Sequence, residues 1–244
     1  MDTAFTSVAV TRSYEHIVRQ IHDAIRNGQL RRGEKLPTER VLSETFGVSR
    51  SVVREAVKVL VAQGIVVSRQ GSGTFVLDSP AHFVSQTIML AVPVEEESIG
   101  QLIEFREVLD TLAAHRAAVR RTEEEALAII DASKQSLAAA EANDLDAFGD
   151  ADVRFHTLID HAAANIYVAI ASSSVRQAQG EMTRLFASDI GSFVHAAGQH
   201  SRIAEAILAG DPDAAGRAMG EHVRYSGSIT LKIPKEVQTP TATG

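Results

Sequence analysis

Strand-forming sequence is confined to one short stretch of this chain, and helical periodicity surrounds it on both sides. Residues 65–69 and 74–77 are β-rich, and the glycine-containing tetrapeptide between them is typical of a hairpin turn. Two strands of this length can form a single hairpin but no larger sheet. The rest of the fold must therefore be built from helices, and the predicted fold class is mainly α.

Three helical segments precede the hairpin. Apolar residues recur with the helical period over residues 13–27. Thr38 is placed to cap a second, short helix, and Ser49 is placed to cap a third that ends before Gly64. Three helices followed by a β-hairpin wing predict a winged helix-turn-helix domain over residues 1–78.

The sequence after residue 78 predicts an all-helical domain. A short helix and long stretches rich in Ala, Leu, Glu and Arg follow, with the long ones at about 98–121, 123–142, 144–163, 166–188, 194–209 and 212–231. Amphipathic helices in this number bury their apolar faces most simply as an antiparallel bundle. We expect this bundle over residues 79–233, followed by a disordered tail over 234–244.

Charge is distributed unevenly between the two predicted domains. Residues 1–78 contain eleven Lys and Arg against eight Asp and Glu, whereas residues 79–244 contain thirteen against twenty-three. This asymmetry indicates a DNA-contacting segment joined to an acidic body.

Composition also excludes several classes of protein. The chain has no Cys, which excludes disulfides, thiolate metal sites and a cysteine nucleophile. Residues 1–13 do not have the pattern of a secretory signal, and no apolar run approaches the ~20 residues of a membrane helix. We expect a cytoplasmic protein with no membrane partner.

The third predicted helix has the two faces of a recognition helix. Apolar residues share one stripe, whereas Arg50, Arg54 and Lys58 lie together on the opposite side with Ser51 nearby. An arginine can bind O6 and N7 of guanine in the major groove. The alternative for any single arginine is a solvated basic face, and the order of the surrounding elements makes this the weaker interpretation.

Residues 28–76 resemble the DNA-binding signature of the GntR family of transcription regulators. The matching segments are Gly33-Glu34, Leu36–Arg40, Val48–Arg50, Val53–Ala56 and Gly71–Val76. The resemblance implies operator contacts through the following residues: Arg40, Ser49, Arg50, Ser51 and Arg54, with the wing-tip pair Gln70 and Gly71 in the minor groove. It also implies a homodimer that binds a short palindrome of double-stranded DNA.

Four residues of the acidic body form a possible metal site. Asp152 and His156 are four residues apart and share a helix face. His200 and His222 are each eleven residues from a turn near Asp211, which places both ~16 Å from the turn of a helical hairpin. Three imidazoles and one carboxylate suit Zn²⁺, Ni²⁺ or a similar divalent ion. The alternative is that these are ordinary surface or core histidines.

Residues 80–230 resemble the FCD domain, the helical effector domain of the FadR subgroup of GntR regulators. The matching stretches are 152–156 with Asn165, 199–207 and 219–222, although Gln199 stands where an acidic residue is common. The resemblance implies a divalent metal held by all four residues of the possible site. It also implies a small organic acid as effector, with Arg106 as a second carboxylate contact. The alternative for Arg106 is a surface ion pair with Glu107 or Asp110.

These features together predict a transcription regulator, usually a repressor, and not an enzyme. A metalloenzyme using the His3Asp site is the second hypothesis, but the sequence has no HExxH motif and no evident general base beside the site. A third hypothesis is a purely structural ion without an effector.

Overall fold

The computed structural model of the chain describes residues 13–92, 95–186 and 191–231, so the predicted tail over 234–244 lies outside the described residues. The chain divides into two compact units at the bond between Pro80 and Ala81. Each unit has its own hydrophobic core.

The first unit contains three helices and one antiparallel hairpin. The elements are α1 (Ser13–Arg26), α2 (Glu39–Phe46), α3 (Arg50–Ala62), β1 (Val66–Arg69) and β2 (Gly73–Val76). Thr38 caps α2 as predicted, because its hydroxyl oxygen accepts a hydrogen bond from the Val41 amide. Gly47 ends the helix in the left-handed conformation that glycine adopts without strain.

The core of the first unit joins all of its elements. Ile17 and Ile21 of α1 pack with the buried face of α3 and with the inward residues of the hairpin, Val66 and Val76. Val66 and Val76 are also directly paired across the two strands. This packing leaves the opposite face of α3 and the tip of the hairpin exposed to solvent.

The second unit is all-helical in its described residues. Its helices are α4 (Pro80–Ala91), α5 (Glu96–Arg120), α6 (Glu123–Glu141), α7 (Leu145–Ala162), α8 (Ile166–Phe186), α9 (Gly191–Ala209) and α10 (Pro212–Leu231). The predicted fold class, a winged helix-turn-helix joined to a helical bundle, is confirmed. No described helix is long and apolar enough to cross a membrane.

Helix α5 is central to the second unit because it packs against α7, α8, α9 and α10. The contact with α10 is close, since a side chain at Gly227 would collide with Ile103 of α5. Alanines such as Ala113, Ala114 and Ala117 line the inner face of α5 and are fully buried. Small residues let the helices approach closely around the larger core residues Phe155 and Ile203.

Candidate metal centre and nucleic-acid interface

The exposed face of α3 carries the cations predicted to contact DNA. Arg50, Arg54 and Lys58 are exposed, whereas Val53 and Ala56 of the same helix are fully buried. A guanidinium on this face can reach a ligand in a groove without moving the core.

The exposed arginines differ in how firmly they are held. Arg54 forms a bidentate pair with Glu39 of α2, with distances of 2.9 and 3.3 Å. Hydrogen bonding to Arg54 lowers the pKa of Glu39, so the carboxylate is ionised and orients the guanidinium. Arg40 pairs with Glu44 one turn later on α2. Within the described residues Arg50 has no ion-pair partner, so its guanidinium is available to another acceptor.

Ser49 differs in one respect from the prediction. Its backbone occupies the N-cap position of α3, but its hydroxyl makes no capping hydrogen bond. The hydroxyl instead lies 2.8 Å from that of Ser51. Two hydroxyls therefore lie at the amino end of α3, where the helix dipole and free amides attract a phosphate.

The wing tip is exposed and backed by two cations. Gln70 and Gly71 form the turn, and Gly71 has a φ of +72°, a conformation suited to glycine. Arg69 and Lys35 lie over the Phe75 ring, 4.9 and 5.9 Å from its centroid. This geometry places positive charge next to a tip small enough to enter a groove.

The structure brings the four predicted metal-binding residues into one cluster. Asp152 and His156 come from α7, His200 from α9 and His222 from α10, and a ligand atom of each lies within 4.8 Å of the others. The Asp152 oxygen is 3.4 Å from Nε2 of His200 and 3.8 Å from Nε2 of His156. The histidines are buried, whereas the Asp152 side chain is 32% exposed, so the cluster reaches solvent at Asp152.

The hydrogen bond to Gln199 assigns the tautomer of His222. Nδ1 of His222 is 3.3 Å from the Gln199 amide oxygen, which can only accept, so this nitrogen carries the proton. Nδ1 of His200 is 3.1 Å from the Ser136 hydroxyl. If that hydroxyl accepts as well, two Nε2 lone pairs face each other across 3.4 Å. Such lone pairs repel unless a cation lies between them, and a partner on the far nitrogen is usual for metal-binding histidines.

Burial keeps the three imidazoles neutral. Loss of solvation lowers the pKa of His200 to about 3 and those of His156 and His222 well below 6.5, with help from the nearby cation Arg106. Neither ring nitrogen of His156 has a hydrogen-bond partner among the described residues. A buried, neutral imidazole without a partner is costly in a purely structural role, and it is the form that binds a metal ion. The cluster therefore fits a divalent ion with nitrogen and oxygen ligands.

A buried ion network lies beside this cluster. Arg106 donates to Asp110 through Nε at 3.0 Å and to the Gln179 oxygen through Nη1 at 2.9 Å. Arg176 of α8 donates to Asp110 at 2.7 Å and also to Asp160. The alternative predicted for Arg106, an ion pair at the surface, named Asp110 correctly as a partner, but the pair is buried, because Arg106 and Asp110 are only 6% and 1% exposed. Neither end of this pair is open to bulk water.

Several residues of these sites could not be predicted from the sequence. Ser136 lies on the apolar face of α6 and orients His200, and Arg176 lies on α8 as a second guanidinium near the metal cluster. Glu39 orients Arg54 from the preceding helix. One signal was available at Ser136. This polar residue lies four residues from Ala132 and from Ala140, on the same helix face, and both alanines are buried.

Comparison with known proteins matches both units to described families. The profile of "Bacterial regulatory proteins, gntR family" matches residues 13–76, and that of the FCD domain matches residues 101–225. LutR of Bacillus subtilis, named as an HTH-type transcriptional regulator, is 34% identical over 209 residues, which cover 82% of this chain and 92% of LutR. The Glc operon transcriptional activator of Escherichia coli is 29% identical over 220 residues, 86% of this chain and 85% of that protein.

A solved structure has the same architecture. The structure of a GntR protein of Streptococcus agalactiae covers 88% of this chain and 99% of its own chain, with a TM-score of 0.68 and 25% identity.

Proposed function

We propose that this chain, which belongs to the gntR family of bacterial regulatory proteins and carries an FCD domain, is a homodimeric, metal-containing repressor released from its operator by a small organic acid. Family membership makes it a DNA-binding transcription regulator, in line with the relatives, which are named as regulators and not as enzymes. The further steps, which are repression, the metal-dependent effector and assignment to the FadR subgroup, are our proposal. The observation that carries the metal-dependent effector is the convergence of three buried, neutral imidazoles and one carboxylate. Repression has a test of its own below.

The proposed ligands of the ion are Asp152, His156, His200 and His222, with zinc or nickel the ions best suited to this set. When bound, the ion would supply positive charge and open coordination positions for a carboxylate. Residues of the chain itself would orient these ligands and the neighbouring arginine. Gln199 and Ser136 hold two imidazoles in the ligating orientation, and Asp110 fixes the direction of Arg106.

An anionic effector suits the cluster once the divalent ion is bound. Arg106 and Arg176 are balanced by Asp110 and Asp160, so the charge of the ion would exceed that of its single carboxylate ligand, Asp152. We propose that Arg106 contacts the effector carboxylate, which would replace part of its bonding to Gln179. The effector can release DNA only if it binds the free regulator more tightly than the DNA-bound one.

The metal and effector assignment predicts a conditional thermal shift. In metal-loaded protein, an acid present at 100 times its dissociation constant should stabilise the fold by about 2.7 kcal/mol, a shift of several degrees. The measurement is a melting-temperature screen of mono-, di- and tricarboxylic acids and sugar acids, repeated after chelation. The shift should disappear with the chelator and in His200→Ala.

A matched control separates loss of the site from a general loss of stability. His161→Ala removes an exposed histidine from the same helix as His156 and should retain the shift. A metal-dependent shift without any acid response would instead support a structural ion. Acid turnover by the loaded protein would support the metalloenzyme.

The DNA assignment predicts a loss of affinity in Arg50→Ala. If Arg50 binds a guanine, its removal should weaken operator binding by about 1–3 kcal/mol, because a bidentate base contact is lost. The operator is first selected from random duplexes and then titrated in gel-shift experiments at fixed salt. Arg19→Ala, an exposed arginine on α1, is the control and should bind like the unsubstituted protein. Equal affinity for the Arg50 variant would remove this residue from the interface.

A reporter assay decides the sign of regulation. A promoter carrying the selected operator should be silenced by the regulator and restored by the effector found in the thermal screen. Because one relative is named as an activator, the assay must be able to record an increase as well. An increase would contradict repression and leave the DNA and metal assignments standing.

A further inference from the structure

Helix α5 presents an apolar stripe to solvent. Phe105, Val108, Leu112 and Val119 are 51%, 66%, 38% and 61% exposed. With Gln101 and His115 they are spaced alternately by four and three residues along a helix of 25 residues. This is the spacing at which one helix packs along another. The inner face of α5 is already packed within the unit, so the stripe is suited to a helix from outside it.

The stripe is complementary to itself in the antiparallel direction. Its positions are symmetric about residue 110, so that 101 faces 119, 105 faces 115 and 108 faces 112. Spacing by four and three residues defines two kinds of position along the stripe, the a and d positions of a heptad. In an antiparallel helix pair, each a position faces a d position of the partner helix. Val108 would meet Leu112 at the centre, and Phe105 would meet His115 one layer further out. A second copy of this chain therefore matches the stripe layer by layer.

The charges of α5 favour the antiparallel direction over the parallel one. Exposed charges in its amino-terminal half are acidic, namely Glu97 and Glu104, whereas those in its carboxy-terminal half are basic, namely Arg116 and Arg120. Antiparallel pairing brings acidic and basic halves together and also opposes the helix dipoles, whereas parallel pairing brings like charges together. Glu104 and Arg116 stand at the same level in this arrangement, and neither has an ion-pair partner within the described part of the chain.

We propose that the α5 helices of two copies pack antiparallel about a twofold axis at residue 110, and that this contact is the dimer interface of the helical unit. The inference rests on the proposed homodimer and assigns the surface that forms it. It gives α5 two roles, since the interface is on its outer face and Arg106 is on its inner face. A displacement of α5 by an effector at Arg106 would then be transmitted directly to the partner subunit.

The first test is the mass in solution of the full chain and of Val108→Glu. The unsubstituted protein should sediment as two chains, and the variant as one chain at the same concentration, because two buried carboxylates would face apolar residues. Leu127→Glu is the matched control, since Leu127 is an apolar residue of α6 that is 54% exposed. A dimeric Val108 variant, a monomeric Leu127 variant or a monomeric unsubstituted protein would overturn the proposal.

Disulfide trapping provides a second test that does not depend on disrupting the protein. The chain has no cysteine, so each introduced thiol is unique. A mixture of Val108→Cys and Leu112→Cys chains should form disulfide-linked dimers under mild oxidation, whereas either variant alone should link poorly. Val108→Cys alone should link poorly because its two thiols would be offset by about 6 Å along the helix axis. Added to the distance between the two helices, this offset is beyond the usual reach of a disulfide.

The outcomes separate this inference from the proposed function. Efficient linking by Val108→Cys alone would indicate parallel helices, and no linking of the mixture in a dimeric protein would place the interface elsewhere. Either result overturns the inference and leaves the regulator assignment intact. Leu127→Cys, which should not link, controls for random collision.

Discussion

Replacement of Asp110 by alanine is expected to lower the free energy of unfolding by about 3–5 kcal/mol, because it removes one partner from a buried ion network. Asp110 is 1% exposed and accepts hydrogen bonds from both Arg106 and Arg176. Its loss leaves two guanidinium groups in the interior, and of the described carboxylates only Asp160 still forms an ion pair with either of them. Urea denaturation followed by far-ultraviolet circular dichroism measures the difference.

Glu107→Ala is the matched control for this prediction. Glu107 is on the same helix, three residues away, and also forms an ion pair, but its partner Arg224 is 56% exposed. Exposed pairs contribute about 0–1 kcal/mol, because water replaces the lost partner. Equal destabilisation in the two variants would mean that burial does not increase the contribution of the Asp110 network to the free energy of unfolding. In that case an effector could rearrange the network with little loss of stability.

The helices and the hairpin could be predicted because their signals are local. Thr38 and Thr122 are threonines placed to cap a helix, and both accept the capping hydrogen bond. Asn165 lies between the helices predicted at about 144–163 and 166–188, and its side chain accepts hydrogen bonds from amides in the first turn of α8. In each case the side chain satisfies backbone groups within three residues, so no tertiary information is needed.

The sites could be predicted only in part, because they depend on packing between distant helices. His200 and His222 could be related through the turn near Asp211, since two helices joined by a short turn are antiparallel. Nothing comparable relates Arg106 to Gln179 or Arg176, which come from α8, three helices further along the chain. Burial of this network depends on how α5, α7 and α8 pack together, and sequence spacing does not determine that packing.

Metal-free protein is expected to lose stability steeply as the pH falls below about 6.5. The pKa of His200 is lowered to about 3 by burial, and those of His156 and His222 also lie well below 6.5. At a pH between the lowered pKa of a folded histidine and the ordinary pKa of about 6.5, the unfolded chain binds protons that the folded protein does not. The free energy of unfolding therefore rises with pH and falls on acidification. A tenfold change in proton affinity is worth about 1.4 kcal/mol, so His200 alone corresponds to a contribution on the order of 5 kcal/mol over the whole range.

Asp160 and Asp152 act in the opposite direction, but two carboxyls do not offset three imidazoles. Burial raises the pKa of Asp160 from 3.8 to about 6 and also raises the pKa of Asp152, so protonation of either carboxyl on acidification favours the folded state. The measurement is the free energy of unfolding from pH 7.5 to pH 4.5 in chelator, for the unsubstituted protein, His200→Gln and the exposed control His82→Gln. The slope below pH 6.5 should flatten in the His200 variant and be retained in the His82 variant. An unchanged slope in the His200 variant would mean that this imidazole is solvated in the metal-free protein, which would contradict a preformed, dry metal centre.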